Sequence, residues 1–193
     1  MTHPSKNSLV GEDIFTVDHF LSAKECDDLI VLSESIGYEP ATVDALGGHQ
    51  MLPDWRNNTR VTVDDSDRAE WLWDRARQFV PKTIDGWHST GINERIRFYR
   101  YHPGQQFDWH TDGYYQRDNG ERSFLTFMVY LNGGAVGGKT SFSDSGRIPR
   151  FEDFAVTPET GLALFFTHKL LHKGEPVTEG CKYVLRTDVM YAQ

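Results

Sequence analysis

The sequence predicts an α+β chain that is mainly β, with helices near the N-terminus packed on a β-sandwich or barrel. Three observations carry that expectation. Two segments in the first eighty residues repeat apolar side chains at helical spacing. Beyond Gly91 the pattern changes to short apolar or alternating runs separated by Gly, Pro, Asn and Asp. Aromatic residues make up 13% of the chain beside 17 glycines, a composition that suits sheets joined by tight turns.

Residues 14–20 read as a first strand. Ser22 and Glu25 then have the form of a capping box, and Leu29, Ile30, Leu32, Ser33 and Ile36 continue at helical spacing to a stop at Gly37, so a helix is expected over 23–36. Residues 38–43 read as a strand. Residues 45–58 read as loop, with Gly47-Gly48, Pro53 and Asn57-Asn58. A short strand at 60–63 precedes a second helix capped by Asp67, whose apolar face (Ala69, Leu72, Trp73, Ala76, Val80) runs up to Pro81. The β-like segments that follow are 96–101, 123–131, 139–142, 161–166 and 182–191. The five tryptophans (55, 71, 73, 87 and 109) read as mostly core. There is no internal repeat and no linker-like composition, so one domain over 1–193 is expected: an N-terminal elaboration over 1–90 and a catalytic core over 91–193.

Charge and composition remove several classes of function. Of 193 residues, 38% are hydrophobic and 25% charged, which is neither disordered nor membranous. A net charge of −8, with no basic stripe, argues against nucleic acid and anionic membranes as partners. No apolar run approaches the ~20 residues of a spanning helix. Residues 1–7 do not have the form of a signal peptide, and Cys26 and Cys181 are the only cysteines, expected as two buried thiols in a reducing cytoplasm.

The chemistry starts at Trp109-His110-Thr111-Asp112-Gly113. In a strand, residues i and i+2 share a face, so His110 and Asp112 are expected to present an imidazole and a carboxylate to one point. A third ligand is offered after the apolar run 162–166, either by His172 or by His168. Two histidines and one carboxylate on a β scaffold match the facial triad of non-haem Fe(II) oxygenases. Strand geometry also puts Lys182, Val184 and Arg186 on one face. A cation aimed into a barrel needs an anion to meet it, and the distal carboxylate of 2-oxoglutarate would serve. Tyr130 could add a hydroxyl there.

Taken in order, several features resemble the Fe(II)/2-oxoglutarate-dependent dioxygenases of the prolyl 4-hydroxylase type. They are Tyr101-His102-Pro103-Gly104 leading to His110-Thr111-Asp112, then Tyr130-Leu131-Asn132, then Gly137-Gly138-Lys139-Thr140-x-Phe142. The last is His172-x-Gly174-x-Pro176-Val177-x-x-Gly180-x-Lys182-Tyr183. The resemblance covers roughly residues 96–191 and implies a double-stranded β-helix (jelly-roll, cupin-like) core. It implies iron at His110, Asp112 and His172, and no ligand role for His168. It implies the co-substrate's basic anchor at Lys182, ten residues after His172, with Tyr130 and Tyr101 beside it. Arg186 stays open as the second candidate anchor, because arginine suits a carboxylate through its bidentate fork.

The implied reaction is hydroxylation of a peptidyl or free amino acid, or another small metabolite, using Fe(II), 2-oxoglutarate and O₂. Succinate and CO₂ are the co-products, and ascorbate is an open candidate for restoring oxidised iron. Expected substrate contacts are Asn58 and Arg60, from the polar cluster 56–60, and Arg97, which alternates with Tyr99 and Tyr101. Residues 113–122 read as a cover for the site. The partner is therefore a small-molecule or peptide substrate, and nothing in the sequence speaks to oligomeric state. The rival readings are a non-catalytic metal-binding jelly roll, a nucleic-acid demethylase of the same chemistry and a zinc hydrolase.

Overall fold

The structure, a computed structural model, describes residues 3–45, 48–50, 52–144 and 146–193. The first predicted helix is present as α1 (Ala23–Ile36), with the capping box in place: the Ser22 hydroxyl accepts from the Glu25 amide, and the Glu25 carboxylate accepts from the Ser22 amide. Gly37 ends it at φ 93°, a conformation glycine adopts without strain. Replacing Ser22 by Ala is expected to cost about 1 kcal/mol, read as a lower denaturation midpoint at unchanged m-value.

The second helix, α2 (Ser66–Ala76), is capped by Asp65, whose carboxylate accepts from the Arg68 amide. Asp67, expected as the cap, lies in the first turn instead, and the helix ends before Val80. A 2.6 Å ion pair from Arg75 to Glu25 ties α2 to α1 and, against the opposing effect of burial, holds the Glu25 carboxyl at about 2.

The strands form two main antiparallel sheets. The larger runs in the order Ser5–Val10, Ile14–Asp18, Ala163–Thr167, Arg122–Tyr130, Lys182–Ala192, Arg95–Tyr101, Thr59–Asp64 and Glu39–Pro40, and Trp87–Ile92 also pairs with Lys182–Ala192. The smaller runs Phe107–His110, Leu171–Gly174, Thr140–Ser143 and Phe154–Val156. The strands at Ser5–Val10, Phe107–His110 and Leu171–Gly174 had no strand-like apolar pattern. Residues 38–50 hold Glu39–Pro40 and a hairpin of Val43–Ala45 with Gly48–Gln50. Gly47, part of the loop read from sequence, lies outside the described residues.

Side-chain alternation sorts the large sheet's residues into two cores. Phe15, Val17, Phe98, Phe127, Val129, Phe165 and Leu185 face the helices, packing with Cys26, Leu29 and Leu72. Ile14, Tyr99, Tyr101, Tyr130, Leu164, Phe166 and Val184 face the small sheet, packing with Phe142 and Val177. Helices, large sheet and small sheet thus stack as three layers, the jelly-roll arrangement that was expected. Both cysteines are free, Cys26 buried and Cys181 half-buried. All five tryptophans are half-buried rather than core. Indole is large and carries an N–H, and here it covers core edges instead of filling them. No helix among the described residues is long and apolar enough to cross a membrane.

Candidate active site

Between the two sheets lies a cavity of about 600 Å³. The small sheet brings His110 and His172 to its wall as direct cross-strand partners, in a pair irregular enough to shift register between Phe107 and His110. Such a bulge re-aims a side chain, and the two imidazole centroids sit 4.2 Å apart. Asp112 joins them by another route than the one expected. The strand ends at His110, so strict strand alternation does not place Asp112. Its amide donates to the His168 carbonyl at 2.9 Å, and this loop contact folds the carboxylate back. One donor atom from each of His110, Asp112 and His172 lies within 4.8 Å of the others.

The surroundings prepare these three groups as ligands. The Nδ1 atoms of His110 and His172 lie 2.6 Å and 2.9 Å from the carbonyls of Asp108 and Leu170. Each ring then donates from Nδ1, which leaves Nε2 with its lone pair toward the cavity. Burial lowers the pKa of both, that of His110 to about 3, so both are neutral and able to ligate. Burial opposes ionisation of Asp112, but the Arg186 guanidinium beside it overrides this and holds the carboxyl well below its usual range. Asp112 Oδ2 accepts from Thr126 at 2.5 Å and lies 3.1 Å from Arg186, and Oδ1 is left for an ion. Two neutral imidazoles and one fixed carboxylate are a donor set that ferrous iron fits.

His168 is no ligand. Its ring spans the hydroxyls of Ser123 (2.9 Å) and Thr126 (3.0 Å) while its carbonyl holds Asp112, so it braces the carboxylate from behind.

The two candidate anchors separate cleanly. Arg186 is spent on carboxylates of the chain, Asp112 at 3.1 Å and Asp188 at 3.3 Å. Lys182 is 2% exposed, and its ammonium has no carboxylate within ion-pair distance among the described residues. It donates to the Gly138 carbonyl at 2.6 Å and lies over the rings of Tyr101 and Tyr130. A Cβ on Gly138 (φ +65°) would stand 3.1 Å from the Lys182 stem, so the glycine makes room for it. Burial pushes the Lys182 pKa down to about 7. An unpaired buried cation is costly, and it fits the far carboxylate of a diacid. Tyr130, expected to touch that carboxylate, does not line the cavity. Its hydroxyl donates to Thr140 at 2.7 Å, and Thr140 is the residue on the wall. Tyr101 lines the cavity as expected.

Among the expected substrate contacts, Arg60 and Arg97 line the cavity, with Arg97 3.5 Å from Asp188. Asn58 does not. It is buried behind the wall, where its Oδ1 accepts from Arg56 at 2.8 Å. Residues 113–122 form a pinned hairpin rather than a free cover: Gln116 bridges Arg122, and Arg117 pairs with Glu94 and Glu121. Tyr114 and Tyr115 from this hairpin line the cavity, as does Trp55.

Sequence reasoning missed Phe107, Thr126 and Asp188 as site residues, and held Arg56 only as a member of the polar cluster 56–60. Phe107 stacks on His110 with centroids 3.5 Å apart. No signal existed for Phe107, because strand alternation puts residues three apart on opposite faces and only the irregular register brings its ring onto His110. None existed for Thr126 or Asp188, whose roles depend on which strands become neighbours.

The 2OG-Fe(II) oxygenase superfamily matches the chain over residues 96–187. Prolyl 4-hydroxylase 2 of Arabidopsis thaliana is 27% identical over 213 residues, covering 94% of this chain and 69% of its own length. The 2-oxoglutarate complex of the viral collagen prolyl hydroxylase from Paramecium Bursaria Chlorella virus-1 superposes with TM-score 0.62 at 25% identity, over 95% of this chain and 99% of that one. A prolyl-4-hydroxylase from Pseudomonas putida shares the fold at TM-score 0.69 and 18% identity, over 94% and 93% of the respective chains.

Proposed function

We propose that this chain, a prolyl 4-hydroxylase-like 2-oxoglutarate–Fe(II) oxygenase, hydroxylates an amino acid, free or within a peptide, or another small metabolite in the inter-sheet cavity. The observation that carries the reading is the convergence of His110, Asp112 and His172 beside an unpaired buried lysine. A non-catalytic metal module has no use for that lysine. A single domain over 1–193, a cytosolic setting and ascorbate as the reductant of oxidised iron belong to the same reading. Nucleic acid and membranes are not among its partners.

Ferrous iron with 2-oxoglutarate and O₂ supplies the oxidising power: one oxygen atom enters a substrate C–H bond as hydroxyl, and the other leaves in succinate as CO₂ is released. The chain supplies the geometry. His110, Asp112 and His172 would hold the ion. Thr126 and Arg186 fix the free oxygen of Asp112. Lys182 takes the distal carboxylate, with Tyr101 and Thr140 walling that end. Trp55, Phe107 and Tyr115 add apolar wall to the cavity.

The test is anaerobic: mixing the protein with Fe(II) and 2-oxoglutarate is expected to give the weak visible charge-transfer band of a chelated keto acid. A protein that binds iron but develops no band would sink the reading.

Lys182 also sets a pH dependence. Its ammonium is half-titrated near pH 7 in the free protein, and a bound carboxylate favours the charged form. Binding 2-oxoglutarate at pH 8 is therefore expected to take up close to one proton, and at pH 6 almost none. Affinity should fall as pH rises above 7. Titration calorimetry in buffers of different ionisation enthalpy reads the uptake. The stability sign is separate: the folded pKa lies below the unfolded value of 10.5, so the unfolded chain binds more protons between about 7 and 10.5. This group's contribution to stability therefore rises with pH across that window.

A further inference from the structure

The cavity's charge is opposite to the chain's. A protein of net charge −8 lines this cavity with Arg56, Arg60, Arg95, Arg97, Lys182 and Arg186, against Asp112 and Asp188 as the carboxylates among the described residues of its lining. Most of these cations have assigned partners. Arg186 takes both carboxylates, Arg97 shares Asp188, and Arg95 leans on Asp64 at 3.7 Å. Lys182 awaits the co-substrate.

Arg56 is left over. It is 5% exposed, and no carboxylate lies within ion-pair distance among the described residues. Its guanidinium is clamped between the rings of Phe107 (4.2 Å) and Tyr99 (4.9 Å). Nε donates to Asn58 and Nη1 to the Thr42 carbonyl at 3.3 Å, but Nη2 is buried with no hydrogen-bond partner among the described residues. A buried charged donor left unmet is expensive, and such groups mark places where a ligand completes the set. Phe107 stacks directly on His110, so this cation stands one ring away from the metal ligands. Arg60 and Arg97 reach the same wall from neighbouring strands, Arg60 opposite Tyr99 and Thr62 opposite Arg97. Arg56, Arg97 and Arg186 together draw the Tyr99 phenol down to about 8 even though burial pushes it up.

We propose that the part of the cavity framed by Arg56, Arg60, Arg97 and Tyr99 is an oxyanion subsite, and that the substrate hydroxylated here is an acid whose carboxylate or phosphate Arg56 receives. The subsite selects among the substrates left open above, and it rests on the co-substrate occupying the Lys182 end. Asn58 and the Thr42 carbonyl fix the guanidinium plane, the two rings hold it flat, and a planar fork so held suits an oxyanion.

The protein, loaded with Fe(II) and saturating 2-oxoglutarate without O₂, is titrated with acetate and with inorganic phosphate, and with acetamide and trimethyl phosphate as neutral controls. At least one anion is expected to bind, its neutral control at least tenfold more weakly, and the better anion identifies the oxyanion class. Arg56→Gln should weaken that anion at least tenfold while changing 2-oxoglutarate affinity less than twofold. Arg56→Lys should restore part of the loss. Should Arg56→Gln fail to give a native melt, Arg60→Gln and Arg97→Gln read the same subsite and should each weaken the anion at least threefold. Equal binding of anions and neutral controls overturns the proposal, as does anion binding only when 2-oxoglutarate is absent. A parallel loss of 2-oxoglutarate affinity in Arg56→Gln assigns Arg56 to the co-substrate and also overturns it. Failure of the wild-type protein to bind 2-oxoglutarate at all would instead remove the Lys182 reading, and the subsite with it.

Discussion

Lys182→Met is expected to raise the 2-oxoglutarate concentration needed for half-saturation at least about thirtyfold and, in the same protein, to leave the ligand-free fold as stable or more stable. The two effects have opposite signs because the buried ammonium has one use. Truncating one partner of a buried, hydrogen-bonded charge pair costs about 2–5 kcal/mol of binding, which is roughly thirtyfold to several thousandfold in affinity. In the ligand-free protein the ammonium has no carboxylate partner among the described residues; it meets the Gly138 carbonyl and two aromatic rings. An apolar side chain of similar volume removes the cost of desolvating that charge, and such replacements are neutral or stabilising by about 1–4 kcal/mol. Isothermal titration with 2-oxoglutarate and chemical denaturation of the metal-free protein check the two halves. A variant that loses stability while keeping 2-oxoglutarate affinity would mean that Lys182 is structural. Arg186→Met is the informative contrast. Its guanidinium faces Asp112 and Asp188, so it should destabilise the fold and weaken iron binding, with 2-oxoglutarate affected only through the metal.

Asp112→Ala is expected to eliminate stoichiometric iron binding and reduce succinate release to background. The carboxylate is the one anionic ligand of the set, and without it two neutral imidazoles 4.2 Å apart face a divalent cation with Arg186 close behind. Loss of an outer partner of a metal ligand already costs 10- to 100-fold in affinity, so loss of the ligand should exceed about a hundredfold. Metal content after dialysis and the anaerobic visible band report the outcome. Retained Asp188 still pairs with Arg186, so near-ultraviolet circular dichroism should remain native. A variant that keeps full iron occupancy would remove Asp112 from the centre.

These outcomes rest on residues that became legible in different ways. The span Ala23–Ile36, its Ser22–Glu25 cap and its stop at Gly37 follow from bonds within a few residues, so the sequence carries them directly. The two-faced strands Arg122–Tyr130 and Lys182–Ala192 are equally readable, because burial on both sides puts apolar residues at successive positions such as Phe124-Leu125 and Val184-Leu185. Phe107–His110 and Leu171–Gly174 escaped notice because their inner positions carry ligand and turn residues in place of an apolar repeat. The asparagine at 58 shows the same limit. Its polarity near Arg60 suggested a substrate handle, whereas its side chain is turned inward to hold Arg56.

By itself, the sequence supplied the candidate groups and the elements to carry them: His110, Asp112, a third ligand at His172 or His168, and Lys182 and Arg186 as rival anchors. Residue identity and spacing are local quantities, and local patterning reports them. Only the tertiary structure decided how the charges are shared. It gave Arg186 to Asp112 and Asp188, left Lys182 and Arg56 without carboxylates among the described residues, put Thr140 on the cavity wall where Tyr130 was expected, and gathered cations from separate strands into one cavity of an acidic protein. Which charge neutralises which depends on separations of a few ångströms across strands far apart in the chain, and Coulomb interactions in a poorly screened interior follow those distances, not position along the chain.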